Sequence, residues 1–99
     1  MSTPFKIVFS KLAEKQYSAL DTPATIKKFK KVRRTIGRIQ SNPRHPGLNS
    51  HKYSSLSGAN GEEVWDSYVE NNTPSAWRVF WHYGPGSGII TIVSITPHP

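Results

Sequence analysis

The hydrophobic positions in the first quarter of the chain change their spacing at Ser10. Before it, apolar residues alternate with other residues, so that Phe5, Ile7 and Phe9 share one face, and this alternation predicts a β-strand. After it, apolar residues recur every three or four positions as far as Leu20, which predicts a helix. Ser10 is then the expected N-cap, since a serine hydroxyl can accept from the free N–H groups of a first helical turn.

A second helix is predicted after a short interruption. Asp21-Thr22-Pro23 breaks the first pattern, and we expect a restart with Thr22 as N-cap and Pro23 at the first helical position. This helix should end before Asn42-Pro43, because proline disfavours a helical conformation in the residue that precedes it. Its apolar residues form one stripe, which comprises Ile26, Phe29, Val32, Ile36 and Ile39.

The second half of the chain has the residue pattern of a β-sheet. From His45 onward, short runs of β-branched and aromatic residues are separated by glycine, proline and asparagine clusters. The predicted strands lie near Ser50 to Leu56, Glu63 to Val69, Ala76 to Tyr83 and Ile89 to Thr96. Their connections are short, which favours an antiparallel meander. The predicted fold class is therefore α+β, with an N-terminal strand, two helices and a four-stranded antiparallel meander, and with the helices packed on one face of the sheet (β-α-α-β-β-β-β).

The length and composition narrow the class of protein. We expect residues 1–99 to form one domain, because a chain this short has room for only one core. Without cysteine, neither a disulfide framework nor a zinc ribbon can form, and the four histidines lack metal-ligand spacing, so we expect no metal and no small-molecule cofactor. The N-terminus lacks a secretory pattern and no apolar run is long enough to span a bilayer, which predicts a cytoplasmic protein without a membrane partner.

The charges are distributed unevenly. The formal net charge is +7, and all six carboxylates lie outside the stretch from Thr22 to Gly61. A stretch of one sign attracts polyanions such as RNA, DNA or an acidic protein, whereas an ordinary solvated helix face usually mixes signs to limit self-repulsion. The stretch carries Lys27, Lys28, Lys30, Lys31, Arg33, Arg34, Arg38, Arg44 and Lys52.

Arg78 stands in the middle of the apolar strand Ala76 to Tyr83. If Trp77, Val79 and Trp81 face the helices, then Arg78, Phe80 and His82 line the opposite face. An arginine in that setting is costly unless its guanidinium has a partner or reaches water. It either pairs with Asp66 or Glu70 on the neighbouring strand, or it clamps a phosphate, for which its forked geometry is suited.

Several side chains outside the helices could support RNA cleavage without a metal. Such cleavage needs activation of a 2′-hydroxyl, stabilisation of the charge on the phosphate, and a proton for the leaving oxygen. Histidine can exchange protons at neutral pH. We assign His45, beside prolines in a loop, to the surface, and a frayed chain end is the alternative for His98. The candidates are His51, Lys52, Tyr53, Tyr68, Arg78, His82 and His98.

The order, spacing and length of several segments agree with one known family. These segments are the strand Phe5 to Phe9 running into Ser10 to Lys15, the helix end continuing through Asn42 to Lys52, the strand Val64 to Val69, the strand Trp77 to Trp81, and a histidine, His98, after the last strand. Together they resemble the RelE/ParE toxin superfamily of bacterial toxin–antitoxin systems. The resemblance covers essentially the whole chain.

For the RelE, YoeB and HigB branches, the resemblance implies metal-independent cleavage of mRNA on the ribosome. Carried over residue by residue, it implies that Arg78 stabilises the phosphate, that His98 acts as acid or base, and that His51 and Lys52 bind or polarise the RNA. The basic helix would contact the ribosome, with Tyr68 and His82 added to the RNA-binding set. A cognate antitoxin is the implied protein partner, since a basic surface suits an acidic or amphipathic segment that orders on binding.

The sequence departs from the family pattern at three positions. Asp66 and Tyr68 stand where lysine or arginine is expected, and Pro97 replaces the tyrosine or acid that usually precedes the terminal histidine. Two alternatives to an endoribonuclease therefore stay open. One is a ParE-like inhibitor of DNA gyrase, because fold alone does not decide function. The other is a non-catalytic module that binds an antitoxin or RNA.

Overall fold

The computed structural model of the chain describes residues 4–70 and 76–97. The chain forms one strand, two helices and then four strands, in the order that the hydrophobic pattern predicts. The elements are β1 (Lys6–Phe9), α1 (Lys11–Leu20), α2 (Ile26–Ser41), a short 3-10 helix (Pro46–Leu48), β2 (His51–Ser57), β3 (Glu63–Tyr68), β4 (Trp77–Tyr83) and β5 (Ile89–Pro97).

The strands form one five-stranded sheet in the order β1-β5-β4-β3-β2. The pairs β2–β3, β3–β4 and β4–β5 are antiparallel, which confirms the predicted meander and the α+β class. β1 adds a parallel edge strand, in which Lys6 lies opposite Ile89 and Phe9 opposite Ile92. The two helices form the connection that carries the chain from β1, at one edge of the sheet, to β2, at the other edge.

Ser10 caps α1, as predicted, and also ties the helix to the sheet. Its Oγ accepts a hydrogen bond of 3.0 Å from the Ala13 N–H, and its hydroxyl donates at 2.8 Å to the carbonyl of Val93 on β5. One side chain therefore fixes both where the helix begins and where it lies on the sheet.

The prediction that Thr22 caps the second helix is wrong. α2 begins at Ile26 with Thr25 as its N-cap. The Thr22 side chain and carbonyl both accept from the Thr25 N–H, at 3.3 and 3.1 Å, so that Thr22 closes a separate turn before the helix. The predicted end is confirmed, since Asn42 is the C-cap and its N–H donates to the Arg38 carbonyl at 2.8 Å.

Both helices cover the same side of the sheet, which we call the inner face; the other side is the outer face. The predicted stripe on α2 is buried at Val32, Ile36 and Ile39, while Ile26 and Phe29 are half-buried. Within the described residues, neither helix is long and apolar enough to cross a membrane. The core between the helices and the inner face contains Ala13, Leu20, Val32, Ile36, Ile39, Leu48, Val79, Trp81, Ile90, Ile92 and Ile95.

Candidate nucleic-acid interface

Arg78 lies on the outer face and is engaged by a carboxylate. Its Nη1 donates to Asp66 Oδ2 at 2.7 Å, and the two residues are only 7% and 5% exposed. Of the two partners that the sequence allowed, Asp66 is therefore the one that pairs with Arg78. Burial makes this pairing necessary, since an isolated charge in such a position is expensive.

The pairing leaves part of each group unused. Asp66 Oδ1 and Arg78 Nε find no hydrogen-bond partner among the residues that the structure describes. The ring of Tyr68 covers the guanidinium, with Arg78 Cζ 3.6 Å from the ring centroid, as in a cation–π contact. A phosphate that approaches Arg78 must therefore displace Asp66 or Tyr68.

His51 and Lys52, which the sequence analysis treated as one segment, lie on opposite faces. His51 stands opposite Asp66 in the sheet, and its ring lies edge-on to Tyr68 at 6.0 Å between centroids. Lys52 stands opposite Trp65 on the inner face, with its Nζ 5.8 Å from a Trp65 ring centroid and 3.3 Å from Glu63 Oε1.

The outer face thus brings together three of the predicted site residues, namely Arg78, Tyr68 and His51. Lys52 does not join them, because neighbouring residues of a strand point to opposite faces. His98 lies outside the described residues.

His82 shares the outer face with Arg78 but lies beneath the surface. It is 4% exposed, and its Nδ1 is 2.8 Å from the Tyr83 carbonyl. A Cβ placed on Gly58 would come within 2.9 Å of the His82 Nε2, so the glycine covers the ring closely. The predicted contact of His82 with RNA therefore does not fit its burial in this structure.

Two basic residues of α2 are held by ion pairs. Lys28 and Lys31 both form ion pairs with Glu70, which follows the end of β3. The hydrogen bond from Lys28 is the largest of the effects that lower the pKa of the Glu70 carboxyl. The other basic residues of the helix, and Arg44 beyond it, are exposed; those of the helix are Lys27, Lys30, Arg33, Arg34 and Arg38.

A groove of about 340 Å³ runs between α2 and the end of β3. Lys31, Arg34 and Arg38 line one side, and Tyr68 and Glu70 line the other. Since the Tyr68 ring also stacks on the Arg78 guanidinium, the groove leads from the basic helix to the outer-face arginine. The structure thus joins two features that the sequence presented separately.

A larger open pocket, of about 680 Å³, lies on the inner face beside the loop that follows α2. Its aromatic lining, from Trp65, Trp81 and Tyr83, was missed by the sequence analysis, although the three residues occupy inward-facing positions of β3 and β4. His45, which was assigned to the loop surface, also lines the pocket. Its Nδ1 accepts from the Gly47 N–H at 2.9 Å, so in the neutral ring Nε2 carries the proton.

The chemistry of these side chains does not include a metal centre within the described ranges. No group of three or more His, Cys, Asp or Glu residues among 4–70 and 76–97 is arranged to hold an ion. What the two faces offer instead is guanidinium, imidazole and aromatic groups, which suit phosphates and bases.

Comparisons with known proteins find relatives by structure alone. No protein-family model matches the chain, and no curated protein sequence matches it. Among solved structures, it is similar to a YoeB/ParE toxin from Agrobacterium tumefaciens, with a TM-score of 0.68, 14% identity, and coverage of 95% of this chain and 99% of the other. It is also similar to the YoeB dimer from Staphylococcus aureus (TM-score 0.64, 18% identity, 98% and 100% coverage).

A third similar structure is the archaeal RelE–RelB complex from Pyrococcus horikoshii, at a TM-score of 0.65, 14% identity and 96% coverage of both chains. In each case the likeness extends over nearly the full length of both proteins, although the sequences have diverged far. The chain therefore has the fold of the RelE/ParE toxins, as the order of its segments predicted.

Proposed function

We propose that the protein is the toxin of a toxin–antitoxin system and cleaves mRNA on the ribosome without a metal. The observation that carries the proposal is the basic groove that leads from α2 through Tyr68 to Arg78. Full-length likeness to YoeB and RelE toxin structures supports the toxin class. Fold alone does not fix the activity, so the outer-face residues must carry the argument.

Arg78 is the proposed group that stabilises the negative charge on the reacting phosphate. A phosphate oxygen replaces the Asp66 carboxylate as the acceptor for Nη1, and the adjacent Nη2 on the same edge of the guanidinium supplies the second bond of a bidentate contact. In the transition state, charge develops on the phosphate, and a preorganised guanidinium stabilises that charge more than it stabilises the ground state. Asp66 then acts as the intramolecular competitor for the same donor.

The proton transfers are assigned to histidines. His51 is exposed and lies beside Tyr68 at the edge of the outer face, within the region that an RNA bound at Arg78 would cross. His98 is the proposed second acid or base, carried over from the family resemblance. Lys52, on the inner face, is proposed to contact RNA away from the reacting phosphate.

The exposed face of α2 is the proposed contact for the ribosome. Phosphate contacts by lysine and arginine release counterions, so this binding should weaken steeply as salt rises. An antitoxin that covers the same basic surface would block it. Similar structures include toxin–antitoxin complexes, RelE–RelB and YoeB–YefM, which support an antitoxin partner for this chain.

The experiment that tests the proposal uses ribosomes programmed with a defined mRNA. Purified protein is added, cuts are mapped by primer extension, and naked mRNA and His98→Ala serve as comparisons. We expect cuts that require the ribosome, and fewer cuts with His98→Ala if that histidine transfers a proton. Absence of cuts with folded wild-type protein would refute the nuclease.

A non-catalytic binding module is the second candidate, and the Asp66–Arg78 pair favours it. If the carboxylate holds the guanidinium too tightly for phosphate to compete, the protein binds RNA, on the ribosome or elsewhere, or an antitoxin, and does not cut. Cosedimentation with ribosomes in the same samples separates the two functions. A DNA supercoiling assay run in parallel identifies the gyrase-directed alternative, in which supercoiling is inhibited and mRNA stays intact.

A further inference from the structure

The open pocket on the inner face lies on the opposite side of the sheet from Arg78. The loop from Asn42 to Asn49 forms one wall, and β3 and β4 form the floor. We propose that this pocket binds one unpaired RNA nucleotide, with its base against the aromatic residues and its phosphate at Arg44. The inference deepens the proposed function, since it adds a second contact for the same RNA.

The floor of the pocket is a cluster of three aromatic rings. Trp65 and Trp81 stack with 6.2 Å between ring centroids and 23° between planes, and Tyr83 stands edge-on to Trp81 at 5.1 Å. Trp81 is buried and its indole N–H donates to Ser67 Oγ at 2.7 Å, which fixes the cluster. Tyr83, by contrast, is 40% exposed, so a flat apolar group can reach its ring. Bases stack on such platforms regardless of sequence.

The charges around the pocket favour a phosphorylated ligand. Arg44, His45 and His51 line it, and none of its lining residues is acidic. Lys52 adds a positive charge over the exposed side of Trp65. Burial raises the pKa of the Tyr83 hydroxyl, and the neighbouring Arg44 opposes the change, so this hydroxyl is a neutral hydrogen-bond donor at physiological pH. A base and a phosphate thus each find complementary groups.

The loop wall is held in place before any ligand binds. The His45 N–H donates to the Asn42 carbonyl at 3.0 Å, and the Arg44 N–H donates to the Asn42 side chain at 3.2 Å. Ser50 and Ser67 join the loop end to the sheet by a hydrogen bond of 2.6 Å. A preformed site loses little entropy on binding. Its volume of about 680 Å³ also falls within the range of roughly 300–1,000 Å³ typical of small-ligand pockets.

His51 connects this pocket with the outer face. It lines the pocket, and its ring lies beside Tyr68, which covers Arg78. RNA that passes over the β2 edge of the sheet at His51 can therefore place one nucleotide in the pocket and a neighbouring phosphate near Arg78.

The test follows the indole N–H signals of the three tryptophans by NMR while a short unstructured RNA is added. We expect the signals of Trp65 and Trp81 to shift in a saturable manner. Trp77 does not line the pocket and lies beside Lys28 of α2, so its signal reports separately on RNA that contacts the basic helix. Inorganic phosphate at equal concentration should cause much smaller shifts. If phosphate reproduces the RNA effect, the pocket is a simple anion site and the base-stacking proposal is wrong.

Substitutions separate the contribution of the Tyr83 ring to RNA binding from that of the Arg44 charge. Tyr83→Ala should weaken RNA binding about 5- to 150-fold, the range that corresponds to loss of one base–aromatic stack, and Tyr83→Phe should retain it. Arg44→Ala should weaken RNA binding, and because Arg44 is exposed the substitution should leave the fold intact. Lys15→Ala, at an exposed position on α1, removes one positive charge away from the pocket and should leave RNA binding unchanged.

The two proposals fail separately. Unchanged Trp65 and Trp81 signals at saturating RNA, with ribosome-dependent cuts still present, would overturn the pocket and leave the nuclease. Saturable shifts without any cuts would support the pocket and refute the nuclease.

Discussion

At the scale of single residues, Asp66 has the most consequential position. It stands where the family resemblance leads one to expect lysine or arginine. The structure gives Asp66 a further role, since its carboxylate neutralises the guanidinium of Arg78, a residue that is only 7% exposed. A buried pair of this kind contributes little net stability, but the loss of one member leaves a costly charge behind.

Stability measurements on the pair test this description. Arg78→Gln leaves the Asp66 carboxylate buried without its partner, so we expect the free energy of unfolding to fall by about 3–5 kcal/mol. Adding Asp66→Asn removes the stranded charge and should restore a substantial part of that loss. Urea denaturation followed by circular dichroism measures both variants. A double variant that is less stable than Arg78→Gln would contradict the buried pair.

Glu70 makes the stability of the fold depend on pH in a predictable direction. Its pKa is below the ordinary value of 4.5, chiefly because Lys28 donates a hydrogen bond to it. A lowered folded-state pKa means that the ion pairs stabilise the fold above the unfolded pKa, and that this stabilisation is lost as the pH falls through the folded pKa. Glu70→Gln should therefore cost about 0.2–1 kcal/mol per ion pair at pH 7.

The pH dependence separates Glu70 from other acidic groups. The stability difference between wild type and Glu70→Gln should be constant above about pH 5.5 and should shrink below the ordinary pKa of 4.5. Urea titrations between pH 3 and pH 7 measure it. A difference that does not change with pH would show that packing, and not charge, accounts for the effect of the substitution.

At the scale of elements, the start of α1 combines local and long-range contacts. Ser10→Ala removes the cap at Ala13 and also the bond to the Val93 carbonyl. We expect a loss of about 1–2 kcal/mol, at the upper end of the range for N-caps. Ser18→Ala, at an exposed position inside the same helix, is the matched control and should leave the midpoint of thermal unfolding nearly unchanged. Equal effects of the two substitutions would exclude the capping role.

The helices and strands were predictable from sequence where one buried face makes apolar residues recur at a regular spacing. The predicted strands match β2 to β5 within about two residues at each end, and the end of α2 follows from Asn42-Pro43. The start of α2 was not predictable, because Thr22 and Thr25 are both capable of capping and only the tertiary structure decides between them. Leu12 follows the helical spacing of α1 yet is 55% exposed, since it lies beside the buried stripe that contains Ala13.

At the scale of the whole molecule, the site was predictable only in part. Strand alternation places Arg78 on the face away from the helices, as expected. Its partner could not be chosen from sequence, because the register places Tyr68 opposite Arg78, with Asp66 two residues before it and Glu70 two residues after it. Glu70 lies beyond the end of β3, and only Asp66 stays on the strand beside Arg78. Glu70 instead reaches across to α2, where two lysines hold it.

The inner-face pocket depends on tertiary structure even more strongly. Trp65 and Tyr83 looked like ordinary core residues, because their strand positions face the helices. They remain accessible since the loop after α2 passes beside them instead of over them. Only the three-dimensional path of that loop brings Arg44 and His45 to the aromatic cluster, which is why the sequence offered no signal for the site.

The proposed task of Arg78 is to stabilise the charge on the reacting phosphate, and the most direct test measures ribosome-dependent mRNA cleavage by the double variant Arg78→Gln with Asp66→Asn. This variant contains no stranded buried charge, and circular dichroism can establish that it is folded before the assay. Wild type and Lys15→Ala should produce the same cuts. The double variant should cut at least about 100-fold more slowly, as loss of a preorganised transition-state donor does. Cleavage by the folded double variant at the wild-type rate would contradict the assignment of the reaction to Arg78.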